Sequence, residues 1–194
     1  MEIWNVFSKA DKLTGPILSV GFGKGSFTSS ILEKILEKKV THRNFVAFDA
    51  FNKFGGKLHP RWAIDFKNNA INKAGVDTKI EYGLVQSELN EVLKNYSPSI
   101  TYIDSNRVQD IAATLEMVYT NTQSKSLIIV EVTDKDRLDS LNEFCETHFI
   151  NINFASEKKY SYIIKGDKKE NIERNTLAKL VSNKVKRERS LNLT

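Results

Sequence analysis

A cluster of glycines and two carboxylates, each at the end of an apolar run, mark where this chain could bind a ligand or move a proton. The run Ile17-Leu18-Ser19-Val20 stops at Gly21-Phe22-Gly23-Lys24-Gly25-Ser26, three alternate glycines followed at once by Phe27, Ile31, Leu32, Ile35 and Leu36 at helical spacing. This reads as strand, tight turn and helix, with Ser26 as a cap and free N–H groups at the helix's amino end for anything negative. Glycine there lets the backbone approach a ligand without a clashing Cβ. A second apolar run, Asn44-Phe45-Val46-Ala47-Phe48-Asp49, ends in a carboxylate. In a βαβ unit an acid at the tip of the second strand lies beside the glycine turn, where it can accept hydrogen bonds from both hydroxyls of a ribose. A further run, Ser99-Ile100-Thr101-Tyr102-Ile103-Asp104, also ends in a carboxylate.

The glycine pattern excludes two common loops. A Walker A motif needs glycine where Leu18 stands and Ser or Thr where Gly25 stands, and the dinucleotide fingerprint needs glycine where Ser26 stands. What remains is G-x-G-x-G, by itself also compatible with a plain strand-to-helix turn.

The elements that must hold these residues follow from the rest of the chain. Ile3, Trp4, Val6 and Phe7 precede the break at Gly15-Pro16, and Ala50 to Pro60 forms a glycine-containing loop with Phe51 and Phe54. Trp62, Phe66 and Ala70 predict a helix ending near Gly75. Lys79 to Val85 predicts a third strand, and Gln86-Ser87-Glu88-Leu89 leads into a short helix through Val92 and Leu93. Helical faces follow from Asp110 and from Asp134 to His148, and between them Ser126 to Val132 reads as a central strand buried on both sides. Phe149 to Phe154 and Tyr160 to Ile164 read as an antiparallel hairpin. The expected fold is α/β: a Rossmann-like, mostly parallel seven-stranded sheet with a C-terminal antiparallel hairpin and helices on both faces.

Composition narrows the setting. A chain of 194 residues that is 40% hydrophobic supports one sizeable core. No apolar run reaches the ~18 residues of a membrane span, and Met1-Glu2-Ile3-Trp4 has no basic start, so the expectation is a cytoplasmic protein without membrane contact. Cys145, the lone cysteine, reads as a core thiol, and with His42, His59 and His148 it forms no zinc spacing. From Lys165 onward there are nine Lys/Arg against four Asp/Glu, which accounts for the whole net charge of +5. The expected division is residues 1–166 as one domain and 167–194 as a basic amphipathic helix or tail. Asp167-Lys168-Lys169-Glu170 can cap that helix, and Ile172, Leu177, Leu180, Val181 and Val185 lean to one side of it. Packing on the body or on a second copy is its expected use; Lys184, Lys186, Arg187 and Arg189 leave nucleic acid as the alternative.

Gly21-Phe22-Gly23-Lys24-Gly25, Asp49 and the closing hairpin together resemble the class I methyltransferases that use S-adenosylmethionine. Within that class, Val46 to Phe54 looks like the aspartate-anchored segment of macrocin-O-methyltransferase-like enzymes. The resemblance implies that Gly21, Phe22, Gly23, Gly25 and Ser26 lie along the methionine part of S-adenosylmethionine and that Asp49 holds the ribose hydroxyls. It further implies that Ala50 and Phe51 flank the adenine, and that Gln86 and Ser87 edge it. Asp104 would face the methyl group and the acceptor and serve as base, with His59 as the second candidate. The implied acceptor is an oxygen of a small or sugar-like molecule. The chain departs from the class where Ser19 replaces the acid two residues before the first glycine. A divalent metal between Asp104 and Glu131 is conceivable through oxygen ligands, but acids at strand ends more often cap loops, and no metal is assigned. The alternatives are a non-catalytic binding protein of the same fold, a nucleic-acid methyltransferase using the basic tail, and a nicotinamide oxidoreductase, which the glycine spacing and the hairpin disfavour.

Overall fold

The structure, a computed structural model, describes residues 14–22, 44–50, 64–65, 68, 76–148, 150–154 and 160–165. Within these, strands β1 (Ile17–Val20), β2 (Phe45–Asp49), β3 (Thr78–Tyr82), β4 (Ile100–Asp104), β5 (Leu127–Glu131), β6 (Asn153–Phe154) and β7 (Tyr160–Ile164) join helices α1 (Val85–Tyr96), α2 (Ile111–Asn121) and α3 (Lys135–Thr147). The strands form one sheet in the order β3-β2-β1-β4-β5-β7-β6. Strands β1 to β5 pair in parallel, β7 runs antiparallel to β5, and β6 antiparallel to β7. The alternation of strands and helices from β3 to β5 and the closing hairpin are thus as the periodicity implies.

Why these runs become central strands is visible in their burial. Every residue of β1, β2 and β5 is buried. Leu18, Val20, Val46, Phe48, Ile103, Ile128 and Val130 share one cluster with Leu89, Leu93, Leu115, Val118, Leu141 and Phe144 from the three helices. Residues of the opposite pleat, Ile17, Phe45, Ala47, Ile100, Leu127 and Ile129, are buried as well. A strand apolar on both pleats is the pattern of a sheet covered on two sides. The helices expected after Ser26 and from Trp62 lie outside the described residues except that Ile64, Asp65 and Asn68 are helical.

Helix boundaries follow local chemistry. The carboxylates of Asp110 and Asp134 accept from the N–H groups of Ala113 and Arg137, each at 2.9 Å, and so start α2 and α3. Helix α1 begins earlier than the hydropathy pattern predicts. The sequence assigns Leu84 and Val85 to β3, whereas the strand ends at Tyr82 and the helix starts at Val85. Glu88 from the first turn reaches back to accept from the Leu84 N–H at 2.5 Å, and its own Cβ lies where a Gly83 side chain would be, 2.7 Å away. The chain can turn from strand to helix there because Gly83 has no side chain. Helix α1 ends at Ser97, whose φ of 44° is left-handed and whose N–H returns to Leu93 O.

The closing strand is tied down at its far end. Lys165, counted with the basic terminal segment by its position, is only 4% exposed, and its ammonium donates to Thr122 O at 2.6 Å at the carboxyl end of α2. It belongs to the folded body. Cys145 is a buried free thiol in α3, its pKa pushed up to about 11 by burial. The segment 167–194 lies outside the described residues.

Candidate functional site

Parallel strands deliver their carboxyl ends to one edge of the sheet. Between β1 and β4 the strand order reverses, and this is where open α/β sheets leave a crevice. Gly21 follows β1, Asp49 closes β2, Gly83 follows β3, and Arg107 follows β4; all four line one pocket with Ala50, Val85, Gln86 and Gln109. Backbone hydrogen bonds tie these strand ends together. Gly21 N–H and Phe22 N–H both donate to Phe48 O, at 2.9 and 3.3 Å, and Gly83 N–H donates to Asp49 O at 3.2 Å.

Gly21 has φ +74°, a conformation side chains resist, and a Cβ on it would stand 2.8 Å from Arg107 Cβ and 3.4 Å from Asp104 Cβ. The first glycine is therefore required twice, by its own backbone angle and by the β4 loop that crosses it. Asp49 is 6% exposed and faces Arg107, whose Nε–H donates to Oδ2 at 2.9 Å and whose Nη2–H donates to Oδ1 at 3.3 Å.

Asp104 lies on the other side of Gly21. Its Oδ1 accepts from the Asn106 N–H at 3.0 Å, and its carbonyl accepts from the Arg107 N–H at 3.0 Å, which shapes the turn that presents Arg107. Across the sheet it is in register with Glu131. Burial pushes the Asp104 carboxyl above its usual range; the Asn106 N–H draws it back, Glu131 pushes it further up, and Arg107 lowers it slightly. Glu131 is itself 8% exposed and accepts from the Tyr102 hydroxyl. Thr133 Oγ1 donates to Asn106 Oδ1 at 2.6 Å, so the loops after β4 and β5 are joined. Among the described residues no three His, Cys, Asp or Glu side chains gather as a metal site.

Several of the residues singled out in the sequence meet here. Gly21, Asp49, Ala50 and Gln86 line the pocket, and Asp104 adjoins it through Gly21. Phe22 is buried. Ser87 does not line the pocket; its hydroxyl donates to the Glu88 carboxylate. Gly23, Gly25, Ser26, Phe51 and His59 lie outside the described residues. Ser19, in the place of the class's acid, has its hydroxyl buried with no hydrogen-bond partner among the described residues. Arg107 and Gln109 escaped the sequence reading; the only available signal was their place in the loop after Asp104. Gln109 Oε1 accepts from Gln86 Nε2 at 3.0 Å, which closes one wall.

Comparisons with known proteins place the fold. No protein-family model and no curated protein sequence matches the chain. Solved structures do: calicheamicin methyltransferase CalS11 superposes with a TM-score of 0.66 at 13% identity, covering 85% of this chain and 77% of that one. The O-methyltransferase NovP gives 0.59 at 13% identity, covering 84% and 79%. An rRNA methylase from Streptococcus thermophilus gives 0.58 at 9% identity, covering 86% and 98%. The chain has the class I methyltransferase fold, an α/β architecture with a mostly parallel sheet and a C-terminal antiparallel hairpin. Among the described residues no helix is long and apolar enough to cross a membrane.

Proposed function

We propose that the protein is an S-adenosylmethionine-dependent methyltransferase that transfers the methyl group to an oxygen of a small or sugar-like acceptor, along the lines of the macrocin-type enzymes. The observation that carries this reading is the pocket at the β1/β4 switch point, where a side-chain-free Gly21 and a buried Asp49 carboxylate stand together. The donor set suits the cofactor. A carboxylate is the natural acceptor for the two ribose hydroxyls, Ala50 and Gln86 offer an apolar wall and an amide beside the adenine, and Gly21 leaves the turn open to the amino-acid part. When bound, the cofactor supplies an electrophilic methyl carbon on a sulfonium. The chain's own work is alignment of the acceptor oxygen behind that carbon and removal of its proton. Asp104 is the proposed base. A carboxyl raised above its ordinary range by burial is a stronger base than a solvated one.

The titration that tests this uses the full chain with S-adenosylmethionine, S-adenosylhomocysteine and NAD. Saturable binding of the sulfur nucleosides, weakened about 10- to 100-fold in Asp49→Ala by loss of hydrogen bonds to a charged group, is the expected result. Binding of NAD in their place, or of none of the three, would sink the proposal. Binding without turnover on any hydroxyl acceptor would instead identify a non-catalytic module. We further propose a cytoplasmic protein whose terminal segment, residues 167–194, packs as a helix on the body or on a second copy.

A further inference from the structure

Arg107 is held over the pocket from two directions. Its backbone N–H is fixed to Asp104 O at 3.0 Å, and its Cβ rests on Gly21, where any side chain would collide with it at 2.8 Å. The space vacated by the missing Gly21 side chain is thus filled by the stem of Arg107. From there the guanidinium reaches both oxygens of Asp49, at 2.9 and 3.3 Å. A guanidinium presenting two N–H groups and a vicinal diol presenting two O–H groups make the same pair of parallel hydrogen bonds to a carboxylate. They compete for the same lone pairs.

We propose that Arg107 is a specificity-determining residue of the nucleoside site, lying on Asp49 in the free protein and displaced from it by a ribose diol. The assignment rests on Asp49 being the ribose acid. It goes further in saying that every nucleoside must first break an ion pair, so that fragments contributing few other contacts are held off while a ligand filling the whole crevice is admitted. Asp49 is 6% exposed and Arg107 27%, so the pair is partly screened by water and its displacement costs about 3- to 30-fold in a binding constant.

Adenosine is the probe, because it carries the diol and no charge. Calorimetric titration of the full chain is compared for wild type, Arg107→Met and Arg107→Lys at low and high salt, with S-adenosylhomocysteine as a second ligand. Arg107→Met is expected to tighten adenosine about 3- to 30-fold, and Arg107→Lys by less, because a single ammonium does not match both oxygens of a carboxylate. Wild-type affinity for adenosine is expected to rise as salt is increased from about 50 to 500 mM, since salt weakens the competing ion pair but not an uncharged ligand. In Arg107→Met that slope is reduced. A merely structural arginine would give neither the tightening nor the slope. Unchanged or weaker adenosine binding by a folded Arg107→Met overturns the inference and leaves Asp49 as the ribose acid. Failure of wild type and Arg107→Met to bind either ligand overturns both together. Should Arg107→Met unfold, the wild-type salt slope and Arg107→Lys decide alone: a flat slope with no tightening overturns the inference.

Discussion

Asp49 and Asp104 end parallel strands on either side of β1, yet their surroundings differ. Asp49 is almost fully buried and met by a guanidinium. Asp104 is partly buried, receives one backbone N–H, and is pressed by burial and by Glu131. A carboxylate matched by two parallel donors has a geometry that accepts two hydrogen bonds at once. One whose carboxyl is pushed upward is suited to taking a proton. The same residue type at the same kind of strand end is thus given different surroundings, Asp49 by the loop after β4, two strands away, and Asp104 by burial and Glu131.

The strongest way to break this comparison is Asp104→Asn. If Asp104 is the base, turnover on an oxygen acceptor falls about 10²- to 10⁴-fold while the affinity for S-adenosylhomocysteine stays within a few-fold, read from initial rates and calorimetry. An equal loss of affinity and rate would make both acids binding groups. The wild-type rate should fall on the acid side as Asp104 is protonated, with a midpoint above the ordinary carboxylate range.

Gly21→Ala tests the frame that separates the two acids. The substitution forces a side chain into positive φ and against Arg107 Cβ, and a stability loss of about 1–3 kcal/mol in urea denaturation is expected. Because the clash is with Arg107, nucleoside binding should be disturbed more than the Asp104 side. A variant as stable as wild type would show that the β4 loop yields freely.

The smallest effect is on stability against pH. The Asp104 carboxyl lies above its ordinary 3.8 in the folded state, so the folded protein binds that proton more tightly than the unfolded chain. Its contribution therefore falls as pH rises through the window above 3.8 and is least favourable at neutral pH. Asp104→Asn lacks this penalty. It should be slightly more stable than wild type near pH 7, with the advantage shrinking as pH is lowered toward 4, checked by denaturant midpoints across that range. An advantage that grew on acidification would reverse the sign of the Asp104 shift.

Local pattern carried most of the architecture. Apolar runs of five residues separated by helical spacing defined β2, β4 and β5, and Asp110 and Asp134 marked helix starts because a cap acts within three residues of itself. Gly21 and Asp49 were legible as strand-end residues for the same reason: each sits at the end of a run whose type is set nearby. The start of α1 was missed because Glu88, four residues ahead, reaches back to the Leu84 N–H, and hydropathy does not register such a bond.

Local pattern thus reaches as far as the strands, the helices after β3 and the residues that end each strand. The tertiary structure alone decided which of those ends meet. Arg107 and Asp49 are 58 positions apart and touch only because β4 is laid beside β1 on the side away from β2. Strand order is set by crossovers and by burial of both sheet faces, which are properties of the whole chain, so the pairing that distinguishes Asp49 from Asp104 has no local trace.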